Sequence, residues 1–406
     1  MPDPMNVIVL IKHLFILPLI ILALITPAHG GSVVLAQSPL YKAERQGRFV
    51  ILSLEKPHQV LSTSKVNGGM HTSISYLVNH QSMEAKNHQD QMERVLNSSD
   101  IDYHGQIAKR LSLNSEQMVL MGTAANMSHL AHHRQQFKSL TVDAFVTAGV
   151  SGNAMRAGDP TRWFETPSGN RKVDMAGTIN IMVVVNQPLS AGALTKASVI
   201  ITEAKSAALG ELAVPSGYSS HLATGTGTDQ FIIASPLATQ NEFVHSSASG
   251  HLKLGELLAN AVKNATLEAL KWQNRLQPND TASVIHALQR FGLTEAKLMA
   301  HLKTKLPKSL YITANSNRAA LVNHPRLVAA AYAYAQLLDR FQYGSVPQSA
   351  KTETLNDNAA TAAVALSSHL LDWDEAWRRL SKQPQSNDIE PFLDAIALGW
   401  QSKWQD

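Results

Sequence analysis

The strongest constraint on the fold is a change of sequence pattern at Pro278. Before this residue, short runs rich in β-branched residues alternate with helical patterns. After it, the pattern is helical almost to the end and is interrupted mainly by prolines. Strands that alternate with helices form a sheet covered by helices. The sequence therefore predicts an α+β domain with a mixed β-sheet over residues 45–276, followed by an all-α domain over residues 280–406.

Individual elements are predicted from hydrophobic periodicity and turn residues. Ser190 is the predicted N-cap of a helix that runs to Leu212, because apolar residues recur three and four positions apart along it. The alanine-rich face of this helix would let it approach a sheet closely. Strands are predicted over residues 47–54, 59–64, 73–79, 141–150, 177–186 and in the segment FIIAS, and further helices over residues 102–113 and 252–276.

Two apolar stripes are predicted to pack helices against each other in the C-terminal domain. Both have the three- and four-residue spacing of one helical face. The first comprises Leu366, Leu370, Trp373, Trp377 and Leu380. The second comprises Leu393, Ile396, Trp400 and Trp404.

The chain has no cysteine among its 406 residues, which excludes thiol nucleophiles, thiolate metal ligands and disulfides. Its hydrophobic content of 44% and charged content of 16% are typical of a soluble globular protein with a core. The 35 Lys and Arg residues exceed the 31 Asp and Glu residues by four, and no like-charged block occurs. This balance does not indicate nucleic-acid binding.

The first 36 residues have the pattern of a secretory signal peptide. Lys12 and His13 precede an apolar run over residues 14–25, and small residues follow it. That run is shorter than the roughly 20 residues that a membrane-spanning helix needs. Cleavage is predicted after Gly30 or after Ala36. The mature protein is thus expected to be exported, to the periplasm if the source is Gram-negative and otherwise to the medium.

Several segments combine glycine with polar side chains beside predicted strands, a composition typical of ligand sites on loops. They are VNGGMHTSISYLVNH (66–80), TAGVSGNAMRAGDP (147–160), AGTINI (176–181), TEAKSAAL (202–209), ATGTGTD (223–229) and SGHLKLGE (249–256).

In this order, together with GRFVILSL and MVLMGTAANMS (118–128), these segments resemble the adenosylcobinamide amidohydrolase family. The resemblance implies hydrolysis of the amide that joins a corrin-ring propionate to its aminopropanol arm, in adenosylcobinamide or a related cobamide. The product would be a corrinoid acid, adenosylcobyric acid if the upper ligand is adenosyl. The export signal and the helical domain depart from the family's usual pattern. The resemblance therefore does not specify which corrinoid is the substrate outside the cytoplasm.

Amide hydrolysis needs an activated nucleophile, a donor to the oxyanion and an acid for the leaving amine. Glu203 is a candidate base, since partial burial of its helix against a sheet would raise its pKa; an ion pair with a nearby lysine is the alternative. His251 is a candidate acid or base, alternatively a helix cap or surface residue. Asp159, between Gly158 and Pro160, is a candidate catalytic carboxylate, alternatively a turn cap.

Eight further residues are candidates for substrate binding. Arg156 suits a propionamide, carboxylate or phosphate of the corrinoid, and the glycine-rich turn around Thr226 and Thr228 suits an anion or oxyanion. A purely structural role is the alternative for each residue. The set is His71, Asn79, Asn153, Arg156, Asn180, Thr226, Thr228 and Asp229.

No cofactor is predicted with certainty, although a divalent metal is an alternative. Oxygen and nitrogen ligands are present, but no HxxxH or HxH spacing supports a metal, so attack by water assisted by Glu203 or His251 is preferred. A second functional class is a corrinoid-binding protein that serves an uptake system without turnover. A third is a hydrolase of an unrelated amide.

Overall fold

The computed structural model describes residues 31–83, 99–161 and 177–404. The described strands are β1 (Val33–Gln37), β2 (Tyr41–Gln46), β3 (Phe49–Leu54), β4 (His58–Ser62), β5 (Gly69–His71), β6 (Tyr76–Gln81), β7 (Met118–Thr123), β8 (Ala131–Phe137), β9 (Leu140–Ala148), β10 (Ala154–Met155), β11 (Ile179–Val185), β12 (Gly225–Thr226) and β13 (Gln230–Pro236). The longer helices before Pro278 are α1 (Asp100–Leu111), α2 (Ala191–Glu211) and α3 (Lys253–Asn274).

Helices α4 to α12 follow from Pro278 onward. They are α4 (Pro278–Thr281), α5 (Val284–Leu288), α6 (Glu295–Lys305), α7 (Lys308–Ser316), α8 (Arg318–Val322), α9 (Pro325–Gln342), α10 (Lys351–Leu366), α11 (Trp373–Leu380) and α12 (Glu390–Lys403). They share one hydrophobic core of their own. The predicted all-α region is confirmed by these elements.

Two mixed sheets form the N-terminal part of the protein. The first sheet has the order β1-β2-β3-β6-β7 and the second has the order β5-β4-β13-β11-β9-β8. In each sheet one neighbouring pair is parallel, β6 with β7 and β11 with β13, and the other pairs are antiparallel. The predicted α+β class with a mixed sheet is confirmed, although there are two large sheets rather than one.

The sheets stack face to face and carry helices on their outer faces. Tyr41 of β2 meets Phe145 of β9 edge-on between the sheets, with ring centroids 5.9 Å apart. Helices α2 and α3 pack on the outer face of the second sheet, and α1 packs on the outer face of the first. The result is a four-layer arrangement of helix, sheet, sheet and helices.

Strand β11 shows why the sequence forms this core. All seven of its residues are buried, because one face contacts the first sheet and the other contacts the helices. A strand covered on both faces has a continuous apolar run instead of alternation. Helix α2 follows with Ser190 as N-cap, whose side chain accepts from Ala193 N, as predicted.

Some elements were not predicted from the sequence. Strands β1 and β2 place the start of the first domain near Val33 rather than residue 45. Strands β7 and β8 were missed as well; β8 is the polar segment AHHRQQF, which lies at a sheet edge and has only one buried residue.

Residues 1–30 of the predicted signal peptide lie outside the described residues. Residues 33–36 lie in β1, which pairs with β2. Cleavage after Gly30 would keep this strand, whereas cleavage after Ala36 would remove most of it. Within the described ranges, none of the helices has both the length and the apolar character needed to cross a membrane.

The first predicted apolar stripe of the C-terminal domain is not a single helical face. Helix α10 ends at Leu366 and α11 begins at Trp373, and the left-handed backbone of Ser368 and His369 separates them. Leu370 is 69% exposed in this connection. Two short helices with a turn reproduce the spacing of one longer helix, which is why the pattern misled.

The helical domain contacts the loop over residues 213–222. Arg290 donates to Ser220 O at 2.7 Å and forms a buried ion pair with Asp339. His221 stacks on Tyr343 with ring centroids 5.3 Å apart. The loop therefore lies between the helical domain and the glycine-rich segments.

Candidate functional site

A polar network lies between the two sheets, where β6, β7, β9 and β11 come together. Asn79 Nδ2 donates to Thr147 Oγ1 at 2.9 Å, and Asn180 Nδ2 donates to Asn79 Oδ1 at 2.9 Å and to Gly122 O at 3.0 Å. The three side chains are fully buried, and Asn180 Oδ1 has no hydrogen-bond partner among the described residues. Two candidates from distant segments, Asn79 and Asn180, are thus brought into direct contact.

Asp229 organises the glycine-rich turn. Its Oδ1 accepts from Ile179 N at 2.9 Å and from Thr226 Oγ1 at 2.5 Å. Its Oδ2 accepts from Thr226 N at 2.9 Å and from Lys205 Nζ at 2.6 Å. With four donors on one carboxylate, Asp229 has little remaining capacity for a ligand, so its geometry is that of a residue that positions the turn.

Lys205 was predicted only as a possible ion-pair partner of Glu203, whereas it pairs with Asp229. Its side chain is only 10% exposed, on the face of α2 that packs on the sheet. Gly225 permits the contact, because a Cβ at this position would lie 2.7 Å from Lys205 Nζ and would also strike Asp229 Oδ2. The helical spacing already indicated that Lys205 is buried, because it lies four residues after Ile201 and three before Ala208, on the predicted apolar face.

Asn153 joins the second glycine-rich loop to this turn. Its Nδ2 donates to Gly177 O at 2.9 Å and to Thr228 Oγ1 at 3.3 Å. Its Oδ1 accepts from the hydroxyl of Tyr218 at 2.8 Å. Tyr218 was not predicted, and it comes from the loop that the helical domain contacts.

Asp159 and Arg156 form a separate turn beside that loop. Asp159 Oδ2 accepts from Arg156 N at 2.8 Å and from Ser216 Oγ at 2.5 Å. Burial alone would raise the pKa of Asp159, but hydrogen bonds from Ser216 and Ser219 outweigh it and hold the pKa below its usual value. The Arg156 guanidinium lies 6.0 Å from the ring centroid of Tyr343 in the helical domain. Asp159 therefore caps its own turn, and its catalytic role stays a prediction.

A cleft of about 240 Å³ opens beside the polar network and the turn. Thr178, Thr228 and the backbone of Gly177 and Gly122 contribute to its wall. Residues of the first sheet and α1 line it as well. Among the described residues the lining comprises Lys65, Val66, Ser82, Met83, Asp100, Tyr103, His104, Leu120, Gly122, Thr123, Ala124, Gly177, Thr178, Thr228 and Gln230.

Glu203 and His251 do not join this cluster. Glu203 is exposed on α2, so the partial burial expected of it is wrong; residues two apart on a helix do not share a face, and Lys205 is the buried one. His251 is exposed before the first turn of α3. The last residue of that helix, Asn274, contacts Val150 and Ser151. A 22-residue helix is about 33 Å long, so His251 lies about that far from Asn274. Their catalytic roles stay predictions.

His71 lies on β5, at the far edge of the second sheet. Its Nε2 is 2.9 Å from Gly68 O. Three strand spacings separate β5 from β11, or roughly 14 Å. No group of three or more His, Asp and Glu side chains among the described residues could hold a metal ion. The residues that could supply oxygen and nitrogen ligands, Asp159, Glu203, Asp229, His71 and His251, do not form such a group.

The region that folds into the two sheets and their helices matches a family model. The model is described as adenosylcobinamide amidohydrolase and matches residues 33–278, well over half of the chain. The chain belongs to the adenosylcobinamide amidohydrolase family. Membership supports a hydrolase of amide bonds, and the matched region ends where the helical domain begins.

Three further proteins are similar to this chain, one in sequence and two in structure. The uncharacterized protein MJ1613 of Methanocaldococcus jannaschii is 34% identical over 186 residues, which are 43% of this chain and 71% of that protein. The crystal structure of the PH0078 protein from Pyrococcus horikoshii OT3 matches with a TM-score of 0.28 and 11% identity, covering 59% of this chain and 83% of that one. The L-aminopeptidase D-Ala-esterase/amidase from Ochrobactrum anthropi matches with a TM-score of 0.26 and 12% identity, covering 59% and 82%. At such values neither structural likeness bears on function.

Proposed function

We propose that this protein hydrolyses the amide between a corrin-ring propionate and the aminopropanol arm of adenosylcobinamide or a related cobamide. The observation that carries the proposal is the place of the cleft. Every described residue that lines it lies within residues 33–278, the region that matches the family. The region that carries the family likeness is thus the region that forms the cleft.

The size of the cleft suits one arm of a corrinoid. Its volume of about 240 Å³ is below the range of about 300–1,000 Å³ that encloses a drug-sized ligand. A corrin macrocycle with its side chains is larger than such a ligand. The aminopropanol arm and its amide would enter the cleft, while the ring would stay at the entrance.

The reaction needs water and no redox partner. Oxygen of water bonds to the amide carbon, the C–N bond breaks, and a proton from water goes to the departing amine. The products are the corrinoid carboxylic acid and aminopropanol. Thr228 and Thr178 line the cleft. Thr178 Oγ1 donates to Thr228 O and Thr228 Oγ1 donates to Gly177 O, while Asn153 donates to Thr228 Oγ1, so both hydroxyl oxygens are held in place and can accept from a ligand. Hydroxyl and backbone N–H groups of this kind orient an amide or a water molecule.

The test is turnover by the purified protein. Incubation with adenosylcobinamide, followed by chromatography and mass spectrometry, is expected to give adenosylcobyric acid and free aminopropanol. Cobinamide that stays unaltered but co-elutes with the protein would instead support the corrinoid-binding function. If neither occurs, complete cobamides are the next substrates, and their failure as well would reject a corrinoid function.

Export is part of the proposal. It is supported by the charged, apolar and small-residue segments of the first 30 residues and by the position of β1 directly after them. An exported enzyme would meet corrinoids before their uptake, so delivery of its product to an uptake system would follow.

A further inference from the structure

One wall of the cleft carries a tyrosine that is held by a buried histidine. Tyr103 lies in the first turn of α1 and lines the cleft. Its hydroxyl is 2.5 Å from His80 Nδ1 on β6. His80 is 5% exposed and stacks on Phe49, with ring centroids 4.2 Å apart. The phenol is therefore fixed in position at the cleft surface.

Both groups have a defined protonation state near neutral pH. Burial, together with the positive charges of Arg48 and Arg110, lowers the pKa of His80 to about 3, so the imidazole is neutral. Burial raises the pKa of Tyr103 to about 12, although Ser82 and the same two arginines oppose the rise. Tyr103 is therefore a neutral phenol and a hydrogen-bond donor.

The direction of the phenol proton follows from the histidine tautomer. His80 Nε2 is buried without a hydrogen-bond partner among the described residues. A buried N–H without an acceptor is costly and rare, so the imidazole proton belongs on Nδ1, where the Tyr103 oxygen accepts it. The phenol proton must then point away from His80. On that side lie Ser82, whose hydroxyl is 3.3 Å from Thr123 O, and the cleft itself.

We propose that Tyr103 donates this hydrogen bond to the oxyanion that forms when water attacks the substrate amide, and that His80 is the residue that positions it. This inference rests on the proposed amide hydrolysis. As the C–O bond to water forms, the carbonyl electron pair moves to oxygen, and the Tyr103 O–H stabilises the charge without giving up its proton. Collapse of the intermediate returns the pair and breaks the C–N bond, and the departing amine takes the proton that the attacking water gives up.

The first variant is Tyr103→Phe, which removes the hydroxyl but keeps the ring. Loss of one oxyanion donor lowers kcat by about 10²- to 10³-fold, and KM is expected to change little. Tyr76→Phe is the matched control, because Tyr76 lies on the outer face of β6 and does not line the cleft. It is expected to keep wild-type kcat and KM.

Two substitutions of His80 separate positioning from folding. His80→Asn keeps a donor near the place of Nδ1 and is expected to retain a kcat well above that of His80→Leu, which has none. Circular dichroism and Tm check that each variant is folded. If Tyr103→Phe does not fold, the comparison of His80→Asn with His80→Leu still tests the role of Tyr103.

The outcomes are distinct. Absence of turnover by the wild type would reject the proposed function and this inference with it. Wild-type turnover with an unchanged kcat in Tyr103→Phe, a rise in KM alone, or equal rates in the two His80 variants would overturn only the role of Tyr103.

Discussion

Lys205 Nζ lies 2.6 Å from Asp229 Oδ2 in an ion pair whose side chains are only 10% and 15% exposed. This contact joins the middle of α2 to the glycine-rich turn. The same carboxylate also receives the backbone N–H of Ile179, the first residue of β11. One ion pair therefore determines where the turn sits relative to the second sheet, and with it the position of Thr228 in the cleft.

Replacing Lys205 with methionine is expected to destabilise the protein strongly. The substitution removes one of the four donors of Asp229 and breaks a buried ion pair, a loss of about 3–5 kcal/mol. Glu203→Gln on the same helix is the matched control, since the side chain is exposed, and its Tm should be that of the wild type. Thermal unfolding measures both, and equal Tm values for the two variants would contradict the role of the pair.

A methyl group at Gly225 is expected to disrupt the same contact. The added carbon would lie 2.7 Å from Lys205 Nζ and against Asp229 Oδ2, and overpacking of this kind costs about 1–3 kcal/mol. Gly210→Ala is the control: this position, in the last turn of α2, has nothing within 4 Å of the new carbon. There alanine should stabilise by about 0.4–1 kcal/mol. Urea unfolding of the two variants should give shifts of opposite sign.

The buried His80 is expected to make the protein acid-labile. Its pKa is about 3 in the folded protein and about 6.5 when unfolded, so protons bind the unfolded chain more readily. The folded state therefore loses stability as pH falls from about 6.5 towards 3, by at most about 1.4 kcal/mol per pH unit from this group. In His80→Asn this contribution disappears.

The measurement is the free energy of unfolding at pH 7, 6, 5 and 4. The wild type should show a steeper decline than His80→Asn over this interval. His251→Asn serves as the control for replacing a histidine, because this side chain is exposed. Parallel curves for the wild type and His80→Asn would show that His80 does not titrate as stated.

Removal of the helical domain is expected to weaken catalysis without abolishing it. Arg290 and Tyr343 hold the 213–222 loop, and Tyr218 of this loop donates to Asn153. Loss of one such hydrogen bond costs about 1 kcal/mol, so deletion of residues 280–406 should lower kcat/KM by roughly fivefold. Tyr218→Phe in the full chain should give a decrease of similar size. Full activity in the truncated protein would mean that the loop holds its position unaided.

Export with cleavage after Gly30 is expected to leave Gly31 as the first residue. This position preserves β1, whose residues pair with β2 at the edge of the first sheet. N-terminal sequencing of protein recovered from outside the cytoplasm checks the position. A mature chain that begins at Gln37 would lack most of that strand, and a chain that keeps Met1 would reject the signal peptide.

The sequence alone determined the elements whose signals are local. The split at Pro278, the buried strands β9 and β11 and the capped helix α2 were all predicted, because periodicity and capping depend on neighbours within a few turns. The family likeness also rests on contiguous motifs. Strand β8 was not predicted, because this polar strand at a sheet edge shows little alternation of apolar and polar residues.

Only the tertiary structure decided which polar residues meet. Parallel pairing of β6 with β7 and stacking of the two sheets bring Asn79 to Asn180, 101 positions apart. The helical register buries Lys205 and exposes Glu203, and the length of α3 separates His251 from Asn274 at its other end. Tyr103 reaches His80 through packing of α1 on β6, for which no sequence pattern exists. Local patterns report which face of an element is apolar; contacts between elements depend on strand order and packing, which non-local burial decides.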